Sequence, residues 1–129
     1  MERLSGFAPQ ALSVLRLVAG LAYLQHGLMK IFQFPAAAMD GPLPPMMLAA
    51  GWLEIVGGVL IAVGLFTRPA AFLMSGMMAV AYWMVHGSKG LYPATNGGEP
   101  ALLFCFIFLY LACAGGGPWS LDAIVCKKV

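Results

Sequence analysis

Charge is what this sequence has least of. Its 129 residues include seven Lys or Arg and five Asp or Glu, 9% in all, where soluble domains carry about 25%. Hydrophobic residues reach 61%, against roughly 45–50% in soluble domains. A water-exposed globule could not be covered by so little polar surface, so an ordinary soluble protein is excluded and lipid is the solvent for most of the chain. The mean hydropathy of +0.87 agrees. Basic runs are scarce as well, and with a net charge of only +2 nucleic-acid binding is excluded. Cysteine is limited to Cys105, Cys113 and Cys126, with no Cys-x-x-Cys pair, which leaves a structural disulfide and thiol–disulfide catalysis without support. The two histidines form no His-x-x-His motif, so no metal site is assigned; axial haem ligation by His26 and His86 is permitted by antiparallel helices but not demanded. The length fixes one domain, residues 1–129, and shows neither internal repeats nor low-complexity tracts.

What is there is four apolar runs, each near the roughly 20 residues that an α-helix needs to cross a hydrocarbon core. They predict helices at 12–32, 46–66, 70–87 and 99–116, an all-α integral membrane four-helix antiparallel bundle. The connections carry helix breakers: Pro35, Asp40-Gly41, Pro42, Pro44 and Pro45 in the first, Pro69 in the second, Pro93 and Asn96-Gly97-Gly98 in the third. Gly115-Gly116-Gly117-Pro118 closes the fourth helix. Arg3 before an apolar run and Ala36-Ala37-Ala38 after it resemble a signal peptide, but the run is too long and contains Arg16, His26 and Lys30, so the first helix is expected to stay. Arg3, Arg16, Arg68, Lys127 and Lys128 fall on one side, Lys30 and Lys89 on the other, which predicts that both termini are cytoplasmic.

Helical periodicity then groups the few polar residues. At about 100° per residue, Arg16, Gly20, Tyr23, His26, Gly27 and Lys30 share one stripe of the first helix, and Gly51, Gly57 and Gly58 surround Glu54 on the second. Small residues let backbones approach and a membrane carboxylate needs partners, so these faces are read as turned inward, with Glu54 approaching His26 or Lys30. Gly76, Ala79, Trp83 and His86 line up on the third helix, and Glu99, Leu103, Phe106, Tyr110 and Cys113 on the fourth. Each also has a structural reading: Glu54 with a basic partner as a packing ion pair, Lys30 as a snorkelling anchor, Glu99 as a helix cap, His86 as a loop hydrogen-bonder. Arg16 and Asp122 are expected to form a structural ion pair near the inner face.

Arg16-Leu17 with Gly20, His26-Gly27 with Lys30, Gly51 to Glu54 to Gly57-Gly58, and Gly64-Leu65-Phe66-Thr67-Arg68 resemble the first half of the DoxX family of small bacterial membrane proteins. Asn96-Gly97-Gly98-Glu99 and Gly117-Pro118-Trp119-Ser120-Leu121-Asp122 are similar to that family's closing motifs. The resemblance implies a four-helix inner-membrane protein grouped with subunits of quinol-oxidising and redox-stress complexes. The residues offer that chemistry a site, since a quinone needs aromatic walls, hydrogen bonds at its carbonyls and proton carriers. Tyr23, Trp83, Phe106 and Tyr110 are candidate walls, with Lys30 beside them; His26 or His86 is a candidate hydrogen-bonding group, and Glu54 or Glu99 a proton path. The leading reading is a membrane subunit of a quinone-linked oxidoreductase complex, with Glu54 and His26 as catalytic groups. The alternative is a non-catalytic scaffold subunit, and a transporter with no broken helix is least supported. Expected partners are the lipid bilayer and other membrane or redox-complex subunits, a homo-oligomer among them.

Overall fold

The structure, a computed structural model, describes residues 1–126 and is all-helical. Lys127, Lys128 and Val129 lie outside the described residues. Two compact units divide the chain: residues 1–66 together with the segment from Gly116 onward, and residues 67–115.

The first unit opens with a single exposed turn, α1 (Glu2–Ser5), followed by α2 (Ala8–Ile31). Pro9 sits in the first turn of α2, where the missing N–H has no intrahelical partner to lose. The proline-rich connection leads to α3 (Pro45–Val63), which Gly64 ends in the left-handed conformation. There the Gly64 N–H donates to the Ile61 carbonyl and the Leu65 N–H to the Leu60 carbonyl, a Schellman closure. α3 therefore stops three residues short of the span read from hydropathy, and α2 begins four residues before it. A short α7 (Leu121–Cys126) completes the unit, capped by Ser120, whose Oγ accepts from the Ala123 N–H.

α2 and α3 are antiparallel and nearly in backbone contact. A Cβ on Gly20 would lie 2.6 Å from the Ala62 nitrogen, one on Gly27 2.7 Å from the Gly51 oxygen, and one on Gly58 2.8 Å from the Leu24 Cα. Gly20 thus faces Ala62, Leu24 faces Gly58 and Gly27 faces Gly51 and Ile55. Such close approach is how membrane helices gain dispersion energy where no hydrophobic driving force exists.

In the second unit α4 (Thr67–Ala81) continues through a π turn at Tyr82–His86 and a 3₁₀ turn at Gly87–Lys89. The one-turn α5 (Pro93–Asn96) precedes α6 (Glu99–Ala114). The latter ends at Gly115, whose φ of +85° suits glycine. The Ser75 hydroxyl of α4 donates to the Cys105 carbonyl of α6 at 2.7 Å. The buried face of α4 and of the turn that follows runs through Ala71, Met74, Ser75, Met78 and Tyr82, whereas Gly76 and Trp83 are exposed. Gly76 has open space beside it. The serine decides the rotation, because in an apolar surround its hydroxyl needs an acceptor.

Among the described residues, 8–31, 45–63 and 67–89 are long and apolar enough to cross a membrane. α6 is equally apolar, and its 16 residues span about 24 Å. Leu17, Val18, Leu21, Trp52, Val56, Phe72 and Leu73 are exposed, an exterior suited to lipid.

Candidate functional site

The polar centre of the first unit is a pair that the glycine register creates. With Gly27 set against Gly51, Lys30 in the last turn of α2 comes over Glu54, and its Nζ lies 2.7 Å from both Oε1 and Oε2. The Glu54 side chain is 4% exposed and that of Lys30 17%. Of the two partners expected for Glu54, the lysine lies at ion-pair distance. Tyr23, buried at 1%, lies within electrostatic reach of the same carboxylate. His26 is exposed on α2. An ammonium, a carboxylate and a phenol together in an apolar helix pair can hold or exchange a proton. An unpaired charge there would cost several kcal/mol, on the order seen for intramembrane charges.

A second centre lies where α2, α3 and the closing segment meet. Arg16 is 2% exposed, and its guanidinium is spent on main-chain oxygens. Nε donates to Gly116 at 2.7 Å, Nη1 to Ile61 at 2.9 Å and to Ala62, and Nη2 to Trp119 at 2.9 Å. Two of these carbonyls belong to the last turn of α3, whose oxygens have no partner four residues on within the helix, and Ile61 also accepts the Gly64 N–H. Asp122, the partner expected for Arg16, acts on it electrostatically and accepts the Phe66 N–H through Oδ1 at 2.8 Å. Its own N–H donates to Gly64. Ser13, one turn before Arg16, accepts the Trp119 N–H at 3.1 Å. The segment from Gly116 to Asp122 is thereby fastened to the α2–α3 pair. Ser13 carried no sequence signal beyond its place one turn from an arginine.

The remaining candidates belong to the second unit. His86 Nδ1 lies 3.2 Å from the Asn96 carbonyl, which makes that nitrogen the donor. Asn96, 6% exposed, organises the loop: its Nδ2 donates to Tyr82 Oη and to the Gly90 carbonyl, each at 3.1 Å, and its Oδ1 accepts from the Gly98 N–H at 2.8 Å. Sequence reasoning saw Asn96 as a turn residue and passed over Tyr82. Glu99 is exposed in the first turn of α6, where a carboxylate complements the helix dipole. Trp83, Phe106 and Tyr110 are exposed, at 68%, 60% and 56%. Arg68 donates to the Ala112 and Cys113 carbonyls at the end of α6, a counterpart of Arg16 on α3. Among the described residues no cluster of three or more His, Cys, Asp or Glu could hold a metal ion, and the three cysteines are free thiols.

Comparison with known proteins places this arrangement. Residues 11–87 match the family profile described as DoxX. The chain is 42% identical over 134 residues to an uncharacterized protein of Haemophilus influenzae, covering 99% of this chain and all of the relative. It is 26% identical over 138 residues to an uncharacterized membrane protein of Mycobacterium tuberculosis, covering 93% of this chain and 84% of that one. No solved structure matches it. The apolar helices, a family match across more than half of the chain and a relative similar along its whole length make this membrane protein a member of the DoxX family.

Proposed function

We propose that the protein is a membrane subunit of a quinone-linked redox complex in the bacterial inner membrane, with both termini cytoplasmic. The observation that carries this reading is the Glu54 carboxylate, 4% exposed in an apolar helix pair and held by the Lys30 ammonium. Reducing a quinone takes two electrons and two protons. The electrons come from a partner subunit, and protons at membrane depth need carriers of this kind. Tyr23 and His26 extend the set on α2, while Trp83, His86, Glu99, Phe106 and Tyr110 are the ligand-side groups of the second unit. The DoxX family's link to membrane redox functions supports the reading.

A scaffold role is the second reading, favoured by the fact that one ammonium satisfies both oxygens of Glu54. Glu54→Gln separates the two, because it keeps the shape but removes the charge. A proton-carrying Glu54 predicts an assembled complex whose quinone-linked turnover falls by about 100-fold, with an altered pH profile. A scaffold predicts near-normal turnover per assembled complex and a lower melting temperature, since Lys30 loses its counter-charge. Normal turnover in a destabilised protein overturns the redox assignment.

A further inference from the structure

The short α7 presents its sides in the reverse of the order that a helix packed on a protein in water adopts. Its acidic residue, Asp122, turns to the protein: Oδ1 accepts the Phe66 N–H at 2.8 Å, and the Asp122 N–H donates to the Gly64 carbonyl at 2.8 Å. Its apolar residues at i, i+3 and i+4 turn away, with Leu121, Ile124 and Val125 exposed at 40%, 57% and 56%. Trp119, just before the helix, and Phe66 are each 64% exposed. We propose that this outward apolar stripe lies in the headgroup interface of the leaflet on the side of the termini, as an in-plane anchor that takes anionic phospholipid. The inference is independent of the redox reading.

Depth puts the stripe at that level. α3 has 19 residues and spans about 28 Å, close to the roughly 30 Å of a hydrocarbon core, and it ends at Val63. The bond from Asp122 to Gly64 therefore starts α7 beside the end of a membrane span, where lipid headgroups begin. The segment cannot turn over to bury its stripe, because Trp119 is held through its carbonyl by Arg16 and through its N–H by Ser13. In water a six-residue helix is marginal, and an outward apolar stripe gains nothing from being there. At a bilayer surface the same stripe enters the acyl boundary. Tryptophan is enriched at this depth because one end of its ring system is apolar and the other carries an N–H.

Charge selects the lipid. Lys127 and Lys128 follow Cys126 directly in the sequence, and no acidic residue comes after Asp122. Basic residues beside an in-plane apolar segment draw anionic headgroups, each favouring the charged leaflet within a Debye length of its surface. A second membrane protein is the competing occupant of the stripe; headgroup depth and the adjoining lysines favour lipid.

The experiment uses full-length protein in nanodiscs, with Trp52→Phe and Trp83→Phe so that Trp119 is the sole indole. Brominated phosphatidylcholine should quench its fluorescence, more strongly with bromines near the headgroup than near the chain end, while acrylamide in the water quenches little. A Val125→Trp variant, with all three natural tryptophans replaced by Phe, should report the same for α7 itself. In mixed discs the bromine is carried either by phosphatidylglycerol or by phosphatidylcholine at equal mole fraction. Quenching from phosphatidylglycerol should be about 2-fold stronger, and Lys127→Gln with Lys128→Gln should remove the difference. Quenching by acrylamide without quenching by bromolipid puts the segment in water and overturns the proposal. Shielding from both quenchers places the stripe against protein and overturns it too. Equal quenching by the two brominated lipids, or a difference that survives loss of both lysines, refutes the selection of anionic headgroups.

Discussion

Two cations on one helix meet their needs in different ways. Lys30 is a compact charge that sits between the two oxygens of a carboxylate, and Arg16 is a planar fork that reaches four carbonyls in several directions. Arg16→Lys should therefore be poorly tolerated although the charge is kept, because three rotatable donors on one nitrogen cannot span oxygens from α3, Gly116 and Trp119. Leaving one or two of these carbonyls unmet is expected to cost about 2–4 kcal/mol. Thermal unfolding in detergent should show the loss, and proteolysis should cut after Gly116 more readily in the variant. Wild-type stability and protection would show that the fork is not what fastens the closing segment. The sequence made Arg16 conspicuous as a charge in a span and named Asp122 as its neighbour. It could not show the carbonyls, because an orphan oxygen at a helix end has no side-chain signature.

At the scale of the element, glycines set the register that side chains then exploit. Gly58 touches the Leu24 backbone, so Gly58→Ala places a Cβ within 2.9 Å of backbone and side-chain atoms of that residue, and the helices must separate. Overpacking of this kind is expected to destabilise by about 1–3 kcal/mol. Gly76→Ala is the matched control: it meets open space and removes a poor helix former, so its melting temperature should hold or rise. Equal melting temperatures for the two variants would sink the close-approach account. The glycine-rich line beside Glu54 was legible in the sequence because periodicity fixes which residues share a face. The contact of Lys30 with Glu54 was only one of the options it left, because a single sequence does not state the offset between two helices. Helix ends were legible to within a few residues wherever a glycine took a left-handed turn, as at Gly64. The face that α4 turns to α6 was not legible, because Ser75, whose hydroxyl bond to Cys105 marks it, carries no signal in a single sequence. Each unit also repeats one device, an arginine in the N-terminal half of its first long helix that binds carbonyls at the end of the second.

For the whole molecule the open quantity is orientation, and the structure changes the weight of each charge. Lys30 is neutralised by Glu54, and Arg16 lies buried among carbonyls. The count that orients the chain then rests on Arg3, Arg68, Lys127 and Lys128 against Lys89 alone, a stronger asymmetry than the raw sequence count. A fluorescent reporter fused after Val129 should therefore light up, and an alkaline phosphatase fused there should be inactive, with the reverse result for fusions within the Ser88–Pro93 connection. Replacing Arg68, Lys127 and Lys128 by Gln should produce mixed signals at both sites, while replacing Lys30 should leave orientation unchanged. An active phosphatase after Val129 reverses the assignment. The consequence reaches the chemistry, because Lys30 occupies the last turn of α2, the end opposite the N-terminus. On the redox reading, with the termini inside, a proton-carrying Glu54 would exchange with the outer face, and turnover of the assembled complex in sealed vesicles should respond to the pH outside the cytoplasmic compartment; with the termini outside, it should follow the cytoplasmic pH instead.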